Sequence, residues 1–326
     1  MKTLALRRAA SFLLAIAFAS ALPGAWAQTG YPDRPIRMIV PWPAGGSVDV
    51  ATRIVADRLS QSLGQQVVVD NKPGAGGNIG ATAAAKAAPD GYTLLVATTP
   101  MVINRSLYAN LPFDAARDFA PVSLLVNLNY VLVVNPKLAG SVGELVTQAK
   151  ARPGQISYAS SGPGTQLHLL GESFKKQAGI EVVHVPYKGA PPALVDLLGG
   201  QVQMMFPGYP VVKPLLESGQ LKALAVVGKH RLASLPNVPT MVEAGFPGLD
   251  SAEWYGVVAP AKTPEAIVSR LNKEIVAILN MPEVRRSLSE KGFEPVSSTP
   301  QQFAAQIASE QAKWASVVKQ IDLHLD

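Results

Sequence analysis

Apolar positions along this chain alternate between two spacings, one suited to strands and one to helices. Residues 36–41 form a short apolar run broken only by Arg37, which predicts a buried strand. Val50, Ile54, Val55, Leu59 and Leu63 then recur at helical spacing and predict an amphipathic helix over 48–63. Gly64 follows, in the position where a left-handed cap ends a helix. Residues 67–69 read as a second strand, the Ala-rich stretch 78–88 as a helix stopped by Pro89, and 92–98 as a third strand. A βαβαβ start of this kind implies a parallel sheet with helices on both faces.

The pattern changes after Asp118. Residues 122–134 are almost unbroken apolar, with Asn127 and Asn129 inside, too long for one ordinary strand. They read as a segment passing from one domain to another. A second alternation follows: a helix from Val142 with the capping box Ser141…Glu144, strand 156–158, helix 167–177, strand 182–185, helix 193–198, strand 202–206, a short helix around Leu215 and strand 223–227. Residues 254–259 offer a second crossing. The remainder is helical over 264–279, 282–291 and 300–321, with Thr263-Pro264 and Thr299-Pro300 each placing a capping hydroxyl before a first-turn proline. The fold class expected is α/β. Domain 1 takes in 28–125 and 253–326, and domain 2, 126–252, is inserted into it. Two crossings imply a hinge and a cleft, where small ligands commonly bind.

The first 27 residues are set apart. Lys2, Arg7 and Arg8 precede an apolar stretch at 9–22, and Ala25-Trp26-Ala27 is a small-x-small cleavage site. A membrane anchor is the alternative, but the stretch is shorter than the roughly 20 residues a span needs. Export to the periplasm with cleavage after Ala27 is the expectation. Arg7-Arg8 leaves the general and twin-arginine routes both open. Without the leader, 26 basic residues face 23 acidic ones, and the net charge falls from +6 to +3. That excess is spread along the chain, with no Lys/Arg run of the kind that binds nucleic acid. The chain holds no cysteine, so an exported form relies on its core and not on disulfides.

Catalytic signatures are absent from the local sequence. His168, His184, His230 and His324 form no metal-ligand pair at helical spacing. No G-x-S-x-G elbow and no phosphate-loop motif occurs. The stretch PGAGGNIGA resembles a dinucleotide fingerprint but has Ile79 where a third glycine is required. No cofactor is expected.

Three turns do suit an anion. Ala44-Gly45-Gly46-Ser47 opens the first helix, and Ser160-Ser161-Gly162-Pro163-Gly164-Thr165 opens another. Glycine lets backbone approach a ligand, and free N–H groups at a helix start point towards it. Tyr187 and Lys188 precede a third helix. Each turn is also what an ordinary helix cap looks like. The functional reading gains from the first two lying in different domains, where they could face each other across a cleft. Asp49 either answers the helix dipole or orders the Gly45-Gly46 turn. His168 either donates to a carboxylate or bonds locally.

YPDRPIRMIVPWPAGGSVDVATRIVADRLSQSLGQQVVVDNKPGAGGNIGA resembles the N-terminal signature of the substrate-binding proteins of tripartite tricarboxylate transporters, also called Bug receptors. The resemblance continues through APDGYTLLVAT, ISYASSGPGTQLHLLGESF, VVHVPYKGAPPALVDLLGGQV and WYGVVAPAKTP, covering the whole mature chain in order. It implies a two-domain periplasmic-binding-protein fold, type II-like, that closes on a carboxylate and hands it to separate permease subunits in the membrane. It places the carboxylate between the 44–49 and 160–165 turns; Trp42 and Thr98 are further candidates for the site, and a receptor of this kind is expected to be a monomer.

One departure stands out. Many members resemble MFD after the strand at 202–206, where this chain has Pro207, followed by Tyr209. If that loop lines the cleft, a partner for a ligand amine is lost. Trp42 and Tyr209 then either offer flat surface to an aromatic mono- or dicarboxylate or pack at the domain edge. A periplasmic sensor binding the same ligand, and an enzyme acting on it, are the alternative functions.

Overall fold

Ile36–Val40 forms β1, with four of its five side chains fully buried. This is the pattern of a strand covered on both faces. The structure is a computed structural model describing residues 30–321, 323 and 325. The leader, the cleavage site after Ala27 and His324 lie outside the described residues. From Arg34 onward the chain forms one compact unit.

After β1 come α1 (Ser47–Leu63), β2 (Val67–Asn71), α2 (Asn78–Ala85), β3 (Thr93–Thr98), α3 (Pro100–Ile103), β4 (Phe119–Leu128) and β5 (Tyr130–Val134). Next are α4 (Val142–Ala151), β6 (Ile156–Ser160), α5 (Gln166–Ala178), β7 (Val182–Pro186), α6 (Ala190–Leu198), β8 (Met204–Met205), α7 (Tyr209–Glu217) and β9 (Lys222–Val227). The chain ends with β10 (Glu253–Pro260), α8 (Glu265–Leu279), α9 (Pro282–Glu290), β11 (Glu294–Pro295) and α10 (Pro300–Ile321).

Two sheets result, in the orders β11-β4-β10-β3-β1-β2 and β7-β6-β8-β5-β9. The apolar run at 122–134 is shared between them. Leu128 pairs with Glu253 in the first sheet and Tyr130 with Val227 in the second, so Asn129 is the point of crossing. β10 carries the chain back. The expectation of a parallel first sheet holds only for β2-β1-β3. β10 runs antiparallel to both β3 and β4, because a strand returning from the other sheet needs no crossover helix. The second sheet is mixed in the same way.

Local chemistry explains two smaller differences. Thr299 caps α10 reciprocally: its Oγ1 accepts from Gln302 N (3.1 Å) and its N–H donates to Gln302 Oε1 (2.9 Å). Thr263 does not cap α8, since its hydroxyl donates to the Pro260 carbonyl (2.7 Å). β8 is cut to two residues just before Pro207, which has no amide to give a ladder.

Each sheet has its own apolar core. Tyr158, Phe174 and Phe206 anchor the second, and Ile39, Phe113, Phe303 and Trp314 the first. α5 packs so closely on β6 that a Cβ at Gly171 would fall inside the Tyr158 ring. Gly171→Val is therefore expected to lower stability by about 3 kcal/mol, at the upper end of overpacking costs, since a β-branched residue recovers little helix propensity. Urea unfolding measures this; a midpoint equal to wild type would show that the ring can yield.

Candidate ligand-binding site

β1 and β6 occupy equivalent places in the two sheets, each between two parallel neighbours. Their carboxyl ends are topological switch points, where open α/β sheets leave a crevice. A cavity lies there, about 500 Å³ including its mouth, lined by residues that follow β1, β3, β6, β7 and β8 and by the first residues of β5 and β10.

On the first-sheet side, Gly46 is the N-cap of α1 and offers no side chain to the first-turn amides. Gly46, Ser47 and Val48 line the cavity; the Gly46 N–H donates to the Pro43 carbonyl (3.4 Å), so the N–H groups of Ser47 and Val48, at the positive end of the helix dipole, are the ones available to a ligand. Gly45 takes φ 80°, a conformation that suits glycine. Asp49 holds the turn. Its Oδ2 accepts from Gly45 N (2.9 Å) and Arg53 Nε (3.0 Å), and its Oδ1 from Asn71 Nδ2 (3.0 Å), which also donates to the Trp42 carbonyl (3.0 Å). Burial pushes the Asp49 carboxyl up, but hydrogen bonds from Arg53, Gly45 and Asn71 outweigh it and hold it below the usual carboxylate range. Asp49 does not line the cavity; it orders the loop that does. Trp42 lines it, and its Nε1 donates to Thr98 Oγ1 (3.3 Å), which fixes the indole from behind.

Asp49→Ala leaves Gly45 N and Arg53 Nε without their acceptor and Asn71 Nδ2 with the Trp42 carbonyl alone. About 2 kcal/mol of stability should be lost at neutral pH. The contribution of Asp49 is present above the ordinary value of 3.8 and disappears as pH falls through the lower folded value, so the two proteins should converge in acid. Urea titrations at pH 7 and pH 3 compare them; an unchanged gap at pH 3 would contradict the assignment.

On the second-sheet side, Thr165 caps α5, accepting from His168 N (3.4 Å) and donating to the Gly162 carbonyl (2.7 Å). Ser161, Thr165 and Gln166 line the cavity. Ser160 does not. It is fully buried, its Oγ accepts from Gly162 N (3.1 Å), and it lies 2.7 Å from His184 Nε2. His184 stacks between Tyr158 and His168. Burial, His168 and Lys175 push His184 down to about 3, and burial lowers His168 as well, so both rings are neutral. The Ser160–His184 pair resembles a nucleophile and its base, but it sits behind the turn and supports Gly162. His168 bonds locally, its Nδ1 accepting from Gly164 N (3.4 Å).

The remaining sequence candidates fall elsewhere. Ala44 and Gly45 are exposed outside the cavity lining. The Tyr187 hydroxyl donates to Asp196 Oδ2 (2.6 Å), and Lys188 is exposed; their neighbours Ala190 and Pro191 line the cavity instead. Burial and Asp196 push the Tyr187 hydroxyl up to about 12. Pro207 is buried, with its carbonyl accepting from Val131 N (3.0 Å). Tyr209 is 3 % exposed and its ring packs on the Gly292 backbone, so flat surface in the cavity does not come from it. Gly208, between them, is the lining residue.

Sequence reading missed Tyr130, Glu253 and Tyr255, which begin the two crossing strands. The signal was present: residues that carry the chain between sheets must border the crevice. Alternation then puts Glu253 and Tyr255 on one face and Trp254 on the other, where it meets Phe303 edge-on. Burial raises the Glu253 carboxyl to about 8 against the opposing Thr99 hydrogen bond, and raises the Tyr255 hydroxyl well above its ordinary value. Among the described residues no His/Asp/Glu cluster could hold a metal, and no helix is long and apolar enough to cross a membrane.

Residues 51–323 match the family model described as the tripartite tricarboxylate transporter family receptor. The chain belongs to that receptor family. Protein BugT of Bordetella pertussis is 44 % identical over 293 residues, which is 89 % of this chain and 90 % of the relative. A Rhodopseudomonas palustris protein solved with adipate is 38 % identical, with a TM-score of 0.87 over 90 % of this chain and 99 % of that one. MatC of the same organism, solved with bound malate, is 30 % identical, with a TM-score of 0.84 over 88 % and 100 %. The receptor family, and not the local Ser–His pair, is the frame in which the cavity is to be understood.

Proposed function

We propose that this protein is a periplasmic solute receptor that captures a small carboxylate between its two sheets and passes it, chemically unchanged, to the membrane subunits of a tripartite tricarboxylate-type transporter. One observation carries the reading: two helix N-termini, at Gly46–Ser47 and at Ser161–Thr165, border a single cavity from two different sheets. A carboxylate has two oxygens to share between them. The relatives solved with adipate and malate support an acid of that size. Trp42, Tyr130 and Tyr255 add ring surface to the same lining and keep an aromatic mono- or dicarboxylate in the candidate set.

A thermal-shift screen with aliphatic diacids, benzene carboxylates, amino acids, sugars and amines tests the binding half. Ligand at about 100 times its dissociation constant stabilises by roughly 2.7 kcal/mol, a readable shift in melting. A response to sugars or amines alone would overturn the reading. Uptake of the responding acid by cells with and without this chain tests the transport half; equal uptake would remove the transporter from the proposal.

A further inference from the structure

The wall of the cavity formed by β10 and the start of α5 carries polar groups that helix ends alone do not explain. Glu253 lines the cavity and is 4 % exposed. Its Oε1 accepts the Thr99 backbone N–H at 3.3 Å, and the Thr99 hydroxyl, buried and without a hydrogen bond of its own, adds a smaller pull towards the ionised form that burial outweighs. None of the ion pairs among the described residues includes it. The titratable and charged groups around it bring no compensation. Tyr255, two residues along the same strand, is fully buried and stays protonated. Tyr130 lines the cavity from β5. Glu310 on α10 adds negative potential, and Lys313 on that helix is engaged by Ser251 Oγ (2.6 Å). Gln166, fully buried in the same lining, donates from Nε2 to the Ser251 carbonyl (3.1 Å) and leaves its Oε1 without a partner.

An ionised carboxylate at this place would be buried, unpaired and set against an anionic ligand. The neutral acid removes both penalties and turns an acceptor into a donor. Resting on the receptor reading above, we propose that Glu253 is a specificity-determining residue of the carboxylate site, its neutral carboxyl donating an O–H to an oxygen of the bound acid. The proton stays on Glu253, and acid and proton occupy the site together. Burial lifts this carboxyl to about 8, so the proton is in place at neutral pH. Gln166 Oε1 is the complementary acceptor, suited to a hydroxyl on the same ligand. A ligand amine would do the opposite and draw the Glu253 proton away.

Calorimetric titration of adipate and malate into the wild type, Glu253→Gln and Glu253→Ala at pH 6.5, 7.5 and 9 tests this. Both acids are fully ionised over the range, and His168 and His184 stay neutral, so neither supplies a pH dependence. Wild-type affinity should fall about tenfold between pH 6.5 and 9, the loss expected one unit above a pKa near 8. Glu253→Gln keeps a donor, and should hold the pH 6.5 affinity within about threefold while losing the pH dependence. Glu253→Ala should bind more weakly throughout. Wild-type affinity that is flat or rising with pH overturns the proposal and leaves the receptor intact. No binding of either acid at any pH overturns the proposal for aliphatic acids and removes them from the receptor's candidate set.

Discussion

Ser47→Asp is expected to fold like the wild type and to bind no carboxylate. Ser47 is the first residue of α1, where an acidic side chain is favoured by the helix dipole, so stability should change by less than about 1 kcal/mol. The same carboxylate would occupy the amides offered to the ligand. Two like charges about 5 Å apart in a partly buried site repel by about 3 kcal/mol, a loss of more than a hundredfold in affinity. Ser161→Asp repeats the test from the second sheet, at a residue that is 9 % exposed and lines the same cavity. Circular dichroism and calorimetry of both variants separate folding from binding. If either binds acids as tightly as the wild type, its helix end is not the carboxylate site.

As pH rises from 5 to 9 the ligand-free protein should lose stability relative to Glu253→Gln. In the unfolded chain Glu253 ionises near 4.5, whereas in the fold it keeps its proton up to about 8. The folded state therefore binds more protons across this window. The contribution is complete below 4.5, erodes above it, and is gone once pH passes 8. The difference between the two values sets an upper bound on the order of 5 kcal/mol, and a part of that is already large against a total stability of about 5–15 kcal/mol. Asp49 does not interfere, because its depressed carboxyl acts only in acid; His168 and His184, lowered in the fold, add stability as pH rises through 6.5, equally in both proteins, so the difference between the two curves carries the test. Urea midpoints at pH 5.5, 7 and 9 for both proteins give the answer. Parallel curves would mean that Glu253 is solvated in solution and ionises normally.

The two anion-compatible turns were legible because their signal is local. A strand end, glycines, a hydroxyl and a helix start lie within a few residues at Gly45–Ser47 and again at Ser160–Thr165, and Ser47, Ser161 and Thr165 do line the cavity. The long apolar run at 122–134 likewise showed that the chain changes sheets. Strand direction was not legible. That β10 would insert antiparallel between β3 and β4 depends on where the chain returns after the 124 residues, 129–252, that carry the second sheet and its loops. Side-chain facing was the other gap. Tyr209 looked like a ligand-facing ring, but whether it turned to the cavity or to Gly292 was set by the pitch of α7 against α9. Ser160 and His184 met only because β6 and β7 pair in a register that sets Tyr158 opposite His184. Glu253 combined both difficulties, being an acid in an apolar strand whose neighbours come from α3 and α5.

A carboxylate is expected to bridge the two helix ends. A crystal structure with adipate or malate bound, taking whichever raises the melting temperature more, tests this directly. One carboxylate group should lie within hydrogen-bond distance of the amides at Ser47–Val48 and of the Ser161–Thr165 turn, with Asp49 behind the loop and out of contact. An acid bound elsewhere, or held by Lys188 and the exposed turn before α6, would contradict it.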